Sequence, residues 1–415
     1  MNATSDVQAA GSAVVVEAAA RRNAIILAAA NAVSGSLGPI AVTVGGLVGA
    51  YLLAEDKSLA TLPITAMNLG TAAGAMPAAE LMRRIGRRRG FIGGAAIACA
   101  ACLLAAGAIV LGSFWLFTAG LFGIGFANSF TQQFRFAAAD SGSAELRARA
   151  VSWVLTGGII SAVLGPQTVI LARDWLSPIP FAGAFLAAAV LAVISGLILA
   201  QLGGTARLAR GGETHTAAGR PLSVIARQPR FLVALFCAIS GFGLMSMVMT
   251  AAPLAMVGCG LGEDDAALGI QWHVIGMYAP SFFTGALIVR FGKETIITIG
   301  LALLMACALV ALAGIDVLNF WSSLVLLGIG WNFTFIGGTT MLTETYRPEE
   351  KTRVQGFNDM LVFGTAALGS FLAGSLFATI GWGWLVSIVF PVVAIAILLL
   401  LPSWFSRLRN GPGTA

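Results

Sequence analysis

The sequence predicts an all-α membrane protein with twelve transmembrane helices arranged as two six-helix halves. Composition, run length and an internal repeat carry that prediction. The 415 residues are 58% hydrophobic and 10% charged, too few charges to clothe a water-soluble globule. Apolar runs near the roughly 20 residues needed to span a hydrocarbon core recur along the chain. They lack the two-residue alternation of barrel strands, so in lipid the backbone must satisfy itself within helices. A basic, glycine-containing segment around Gly86 returns around Gly292, 206 positions later.

The spans fall at 23–53, 58–82, 90–112, 114–139, 150–172, 178–202, 231–258, 266–289, 295–314, 317–345, 355–380 and 383–403. This gives a cytoplasmic tail over 1–22, an N-terminal half over 23–202, a cytoplasmic linker over 203–229, a C-terminal half over 230–404 and a second cytoplasmic tail over 405–415. Short cytoplasmic segments collect Lys and Arg. With both termini inside, only Lys57 and Arg173 of the 24 basic residues lie outside. The net charge of +6 is therefore a topology signal and gives no reason to invoke nucleic acid. Residues 1–20 have no signal-peptide pattern, Arg21 and Arg22 stop the first span at the inner face, and the tail reads as disordered. The five cysteines sit in apolar segments or at their edges and form no disulfide framework; the CxxC spacing of Cys99 and Cys102 lies in an alanine-rich stretch that reads as small-residue packing. A monomer in the bacterial inner membrane, surrounded by lipid, is expected.

In the first two spans, Asn31, Ser34, Ser36, Asn68 and Thr71 read as interhelical contacts, and Met67 and Met76 as flexible filler. After the second span comes Glu80-Leu-Met-Arg-Arg-Ile-Gly-Arg-Arg-Arg89. Through Leu81, Arg84, Gly86, Arg87 and Arg88 this resembles the cytoplasmic loop signature of the major facilitator superfamily, with Ala79 and Arg83 standing where that signature has a glycine and an acid. The signature returns at Gly285-Ala-Leu-Ile-Val-Arg-Phe-Gly-Lys293, carrying Arg290 and Gly292. A second echo, 204 positions apart, pairs Glu145, Arg147 and Arg149 with Glu349, Lys351 and Arg353. The resemblance implies two parallel six-helix halves with substrate held between them near the midplane. Asn128, Thr131, Gln132, Gln133 and Arg135 form a polar cluster in the fourth span and are candidates for the inner gate. Ser161, Gly165 and Pro166 mark a flexible point in the fifth, and His215 lies solvated in the linker.

The seventh and eighth spans form an antiparallel hairpin about the acidic turn at 260–265. This region, 231–277, holds five of the twelve methionines, two of the five cysteines and one of the two histidines. Met245 and Met249 share one helix face, as do His273 and Met277, because four residues is slightly more than one turn. About Leu261, Met249 lies level with His273 and Met245 with Met277. Three thioethers and an imidazole suit Cu(I), since soft sulfur ligands select it. The arrangement resembles the CcoA-like copper importers that supply bacterial cytochrome c oxidase assembly, which implies a metal role for these four residues, with Cys237 and Cys259 extending the donor row. The copper ion would be the transported substrate, copper chaperones its partners, and no cofactor is implied.

Glu344 and Asp359 are candidates for proton coupling or for ion pairs with Arg347 or Arg353. A rival reading is an importer of an organic solute such as riboflavin, because bacterial vitamin transporters look similar in the tenth and eleventh spans; Trp331, Phe333, Phe335 and Phe357 would then form an aromatic wall. A third is a metal sensor that does not transport. No phosphate-binding loop or zinc-hydrolase spacing occurs, so no enzyme is expected.

Overall fold

The computed structural model describes residues 3–53, 57–138, 144–203, 219–347 and 350–410. Every regular element among them is helical. The elements are α1 (Ala3–Ser34), α2 (Leu37–Leu52), a 3-10 turn (Lys57–Leu59), α3 (Leu62–Ile85), α4 (Arg87–Val110), α5 (Phe114–Thr131), α6 (Phe134–Ala138), α7 (Ala144–Ala172) and α8 (Ala182–Leu199). After these come α9 (Leu222–Ile225), α10 (Pro229–Gly258), α11 (Glu263–Tyr278), α12 (Ser281–Phe291), α13 (Lys293–Ala313), α14 (Val317–Leu342), α15 (Lys351–Ser387) and α16 (Val389–Asn410).

Among the described residues, nine helical segments are long and apolar enough to cross a membrane, and the bent pair α11–α12 makes a tenth. One of the nine, Arg353–Pro402, runs for 50 residues. At about 1.5 Å per residue it reaches roughly 75 Å, enough for two crossings of a core about 30 Å thick. It turns at Gly381, whose φ of 75° and ψ of 177° are not helical. Helix α3, with 24 residues, is the remaining long segment, made more polar by Arg83 and Arg84 in its last turn. These segments account for the twelve crossings expected.

Several boundaries differ from expectation. Helix α1 begins at Ala3, so the tail expected to be disordered is helical; its alanine content favours this. The first span breaks between Ser34 and Leu37, and the fourth between Thr131 and Phe134. The eighth span is not one helix. It bends by 42° between Tyr278 and Ser281, where Pro280 has no backbone N–H to give the preceding turn. His215 in the linker and Glu349 of the second echo lie outside the described residues, as do the side chains of Glu145, Arg147 and Lys351.

The chain divides into two compact units, one of residues 1–41 with 70–211, the other of residues 42–69 with 212–415. In the first, Phe91 and Phe134 meet edge-to-face at 4.9 Å in a core shared with Leu27, Met82, Phe130 and Leu199. In the second, the core draws on α10, α13, α14, α15 and α16 and includes Phe231, Leu304, Phe320, Leu327 and Leu385. Lipid gives no hydrophobic force between helices, so close approach of small residues does that work. A Cβ on Gly328 would lie 2.4 Å from the His273 carbonyl oxygen and 2.9 Å from the Met277 nitrogen, which is how closely α11 and α14 pack.

The internal repeat is visible in the backbone. Gly86 opens α4 at φ 85°, ψ 154°, and Gly292 opens α13 at φ 87°, ψ 153°. At Gly86 no other atom crowds a Cβ. The conformation itself calls for glycine at both positions, because L side chains rarely enter that region.

Candidate functional site

Four rings gather in the second unit. Trp331 and Phe335, one turn apart on α14, lie parallel at 5.2 Å with an interplanar angle of 9°. Phe242 on α10 meets both edge-on, at 5.4 Å and 5.3 Å, and meets Phe363 of α15 at 5.7 Å. Such offset and edge-to-face arrangements are the favoured ones, since they set ring edges against π faces. Trp331 is almost fully buried, while Phe242, Phe335 and Phe363 remain partly exposed. The Trp331 Nε1–H is buried without an acceptor among the described residues, a polar handle within an otherwise apolar cluster.

This cluster corrects the expected aromatic wall. Trp331 and Phe335 belong to it, but Phe357 stacks on Phe231 at 6.4 Å instead, and Phe333 is buried without a ring contact to the cluster among the described residues. Phe242 and Phe363 were missed. Phe242 lies seven residues before Met249, on the same helical stripe, so attention to that stripe as a surface for rings would have found it.

Beside the rings, Asn332 is 1% exposed and makes three hydrogen bonds. Its Nδ2 donates to the Met277 carbonyl oxygen and to Ser281 Oγ, and its Oδ1 accepts from Thr284 Oγ1, each at 2.7 Å. Those partners flank the bend between α11 and α12. Helix α11 itself starts firmly: Glu263, Asp264 and Asp265 occupy its first turn, where negative charge suits the helix dipole, and Asp265 Oδ2 accepts from the Gly262 N–H at 3.2 Å.

The residues expected to hold metal are placed as follows. Met245 is 2% exposed in the apolar core of the second unit, as is Cys237; Met249 and Met277 pack against that core. His273 is fully buried, and its Nδ1 lies 2.8 Å from the Leu324 carbonyl oxygen. A carbonyl can only accept, so Nδ1 carries the proton and Nε2, which has no partner, is the bare nitrogen. Cys259 is exposed beyond the end of α10.

Charged candidates fall into two networks. In the first unit, Glu80 pairs with Arg83 at 2.6 Å and Arg84 at 2.5 Å, both largely exposed; pairs of this kind contribute little to stability. Arg87 lies in a small pocket with Asn23, Leu27 and Leu202. Gln132 caps the end of α5, and the exposed Arg135 places its guanidinium 4.9 Å over the Phe136 ring. In the second unit, Glu344 pairs with Arg230 at 2.7 Å and with Lys293, in place of the Arg347 or Arg353 pairing that was one of its two alternatives; buried Glu294 lies 3.6 Å from Arg230. Arg290 stands 5.1 Å over Phe291. Asp359 is exposed one turn before Phe363 and accepts from Asn358 Nδ2 at 3.2 Å.

The class these features define is a multi-pass membrane transporter built on a repeated helical bundle. The chain belongs to the Major Facilitator Superfamily, which it matches over residues 24–337 and again over 273–414. It is 47% identical over 383 residues, 92% of this chain and 96% of the relative, to the riboflavin transporter RfnT of Brucella anthropi. It is 27% identical, over 89% of this chain and 87% of the relative, to YddS, an uncharacterized MFS-type transporter of Bacillus subtilis. Among solved structures it resembles the nucleoside transporter NupG with a TM-score of 0.67 at 14% identity, covering 92% of this chain and 98% of that one. That likeness concerns the fold.

The riboflavin relative overturns the expectation of copper import, and with it the copper substrate, the copper chaperones and the link to cytochrome c oxidase. The physical reason for the error lies in methionine itself. A four-residue methionine spacing on adjoining helices is also what a flexible, polarizable side chain does when it fills a helical core, and Met245, Met249 and Met277 pack in or against such a core.

Proposed function

We propose that this chain imports riboflavin across the bacterial inner membrane by alternating access. The observation that carries this reading is the 47% identity to a riboflavin transporter over nearly the whole of both chains. The four rings support it. The isoalloxazine of riboflavin is a flat tricyclic system, and the surface formed by Phe242, Trp331, Phe335 and Phe363 offers faces and edges for it. The unpaired Trp331 N–H suits one of its two ring carbonyls, while Asp359 and Gln355, one and two turns before Phe363, suit the ribityl hydroxyls. The loops at Gly86 and Gly292, with Arg84, Arg87 and Arg290, would serve as the pivots of the gate. Both termini would face the cytoplasm.

The test is uptake of labelled riboflavin by a bacterium that can neither make nor import it, with and without this chain, together with growth on low riboflavin. Uptake and growth should both depend on the chain, and unlabelled lumiflavin, which keeps the isoalloxazine and carries a methyl group in place of the ribityl arm, should compete. Absence of uptake from cells with the protein in their membrane would refute the reading. Reporter fusions at Gly212 and Gly262 should report opposite compartments; the same compartment at both would reverse the orientation argument.

A further inference from the structure

We infer that Asn332 is a positioning residue that clasps the bend between α11 and α12, and that this clasp carries movement of α14 to the bend during transport. The transport half of this inference rests on the riboflavin reading; the clasp itself does not.

The bend needs an outside partner. Pro280 supplies no N–H to the helical turn before it, so α11 ends with less backbone bonding than a continuous helix would have. Asn332 reaches in from α14. It gives one amide hydrogen to the Met277 carbonyl in the last turn of α11 and the other to Ser281 Oγ at the first residue of α12. A single planar amide thus joins the two sides of the break and sets their separation.

Thr284 closes the arrangement. Its hydroxyl has one hydrogen and two acceptors in reach, the Pro280 carbonyl at 2.8 Å and Asn332 Oδ1 at 2.7 Å. The Pro280 carbonyl already receives the backbone N–H groups of Phe283 and Thr284, each at 2.9 Å, so the hydroxyl is free to serve Asn332. All the hydrogen-bonding capacity required of the buried amide is then met. Thr284 is fully buried and Asn332 is 1% exposed. Water cannot replace any partner that is withdrawn, so the clasp holds or opens as a unit.

Its location gives it a task beyond support. Asn332 follows Trp331 directly on α14, about 100° around the helix. One residue faces the rings and the next faces the bend. Any movement of α14 that accompanies seating of a ring against Trp331 is therefore delivered to the joint between α11 and α12. Loss of the clasp leaves the rings on α10, α14 and α15 intact but frees the joint. The expected signature is a fall in maximal transport rate with ligand affinity preserved.

The experiment uses the full chain in lipid nanodiscs and in cells, comparing the parent with Asn332→Ala and the milder Thr284→Val. Without any ligand, amide hydrogen exchange of the peptide covering 275–286 should rise roughly tenfold in Asn332→Ala and less in Thr284→Val, with α4 and α13 unchanged. Riboflavin affinity, read by quenching of flavin fluorescence, should stay within about twofold, while maximal uptake rate per molecule falls roughly tenfold in Asn332→Ala. Unchanged exchange across 275–286 in both variants would overturn the clasp. Affinity falling in step with rate would overturn the positioning role and make Asn332 part of the binding surface. If the alanine variant fails to reach the membrane, Thr284→Val, which removes one bond, decides by the same two readings. A parent that binds no riboflavin while exchange still responds to Asn332→Ala would remove the riboflavin reading and leave the clasp standing.

Discussion

Trp331 offers a flat ligand two things at once, an indole face already stacked on Phe335 and an N–H that no atom of the described residues accepts. Those contributions separate by substitution. Trp331→Phe keeps a ring and removes the donor; Phe335→Leu keeps apolar bulk and removes the stack. An aromatic pair contributes about 0.5–1.5 kcal/mol beyond its buried area, so Phe335→Leu should weaken riboflavin binding by roughly 2- to 12-fold. Fluorescence titration of purified protein measures this. An effect of that size from Phe357→Leu, whose ring pairs with Phe231 instead, would show that the wrong rings have been assigned. His273 illustrates the other side of burial. Its Nδ1–H is used and its Nε2 is not, and an unused buried nitrogen carries a desolvation cost that an apolar residue of similar shape avoids.

At the scale of elements, the two loops that begin α4 and α13 share one backbone conformation at Gly86 and Gly292. Gly86→Ala and Gly292→Ala each meet a conformational cost of about 1–3 kcal/mol from the positive φ, and at Gly86, where no neighbour crowds a Cβ, that cost stands alone. Each should lower the thermal midpoint of the purified protein. Gly93→Ala and Gly285→Ala provide the contrast, because these helical glycines also have open space around them and no positive φ; they should be neutral or stabilising by about 0.5–1 kcal/mol. Equal destabilisation from all four would mean that crowding, not φ, is the constraint. The breaks in the first, fourth and eighth spans are a second property of elements, and the eighth is the one with a proline at the joint and a side chain reaching across it.

At the scale of the molecule, the second unit anchors the end of the linker through one carboxylate. Glu350 is 3% exposed and accepts from Arg220 Nε at 2.8 Å, Arg220 Nη2 at 2.7 Å, the Arg220 backbone N–H at 2.8 Å and the Arg347 backbone N–H at 2.9 Å. The Arg220 guanidinium holds its pKa down at about 2, against an ordinary value of 4.5. A pKa depressed by folding means stabilisation that is complete above the ordinary value and is lost as pH falls through the folded one. The anchor should therefore hold at neutral pH and weaken between about pH 4.5 and 2. Hydrogen exchange of the peptide beginning at Gly219 should follow that window in the parent. Glu350→Gln should exchange fast at all pH values; a parent insensitive to pH across the window would show that Glu350 does not hold the linker.

Much of this architecture is legible in the sequence. Lipid admits few backbone solutions, so long apolar runs had to be helices, and a basic loop repeated 206 positions apart had to mean two related halves. Those inferences depend on local composition and on solvent, both of which a chain displays along its length. The cargo did not follow in the same way. Met245, Met249, His273 and Met277 have donor chemistry in sequence, but whether a thioether faces a metal, a ligand or a neighbouring helix depends on how helices pack, and here three of them serve a core. The rings that gather do so from α10, α14 and α15, elements more than a hundred residues apart from first to last, and Phe357 turns away from them although it lies six residues from Phe363 on the same helix. Asn332 is the clearest case. On a polar count it is one amide in an apolar helix, and only packing of α14 against a bent span gives it three partners, because hydrogen bonds between distant helices are set by geometry that no stretch of sequence contains.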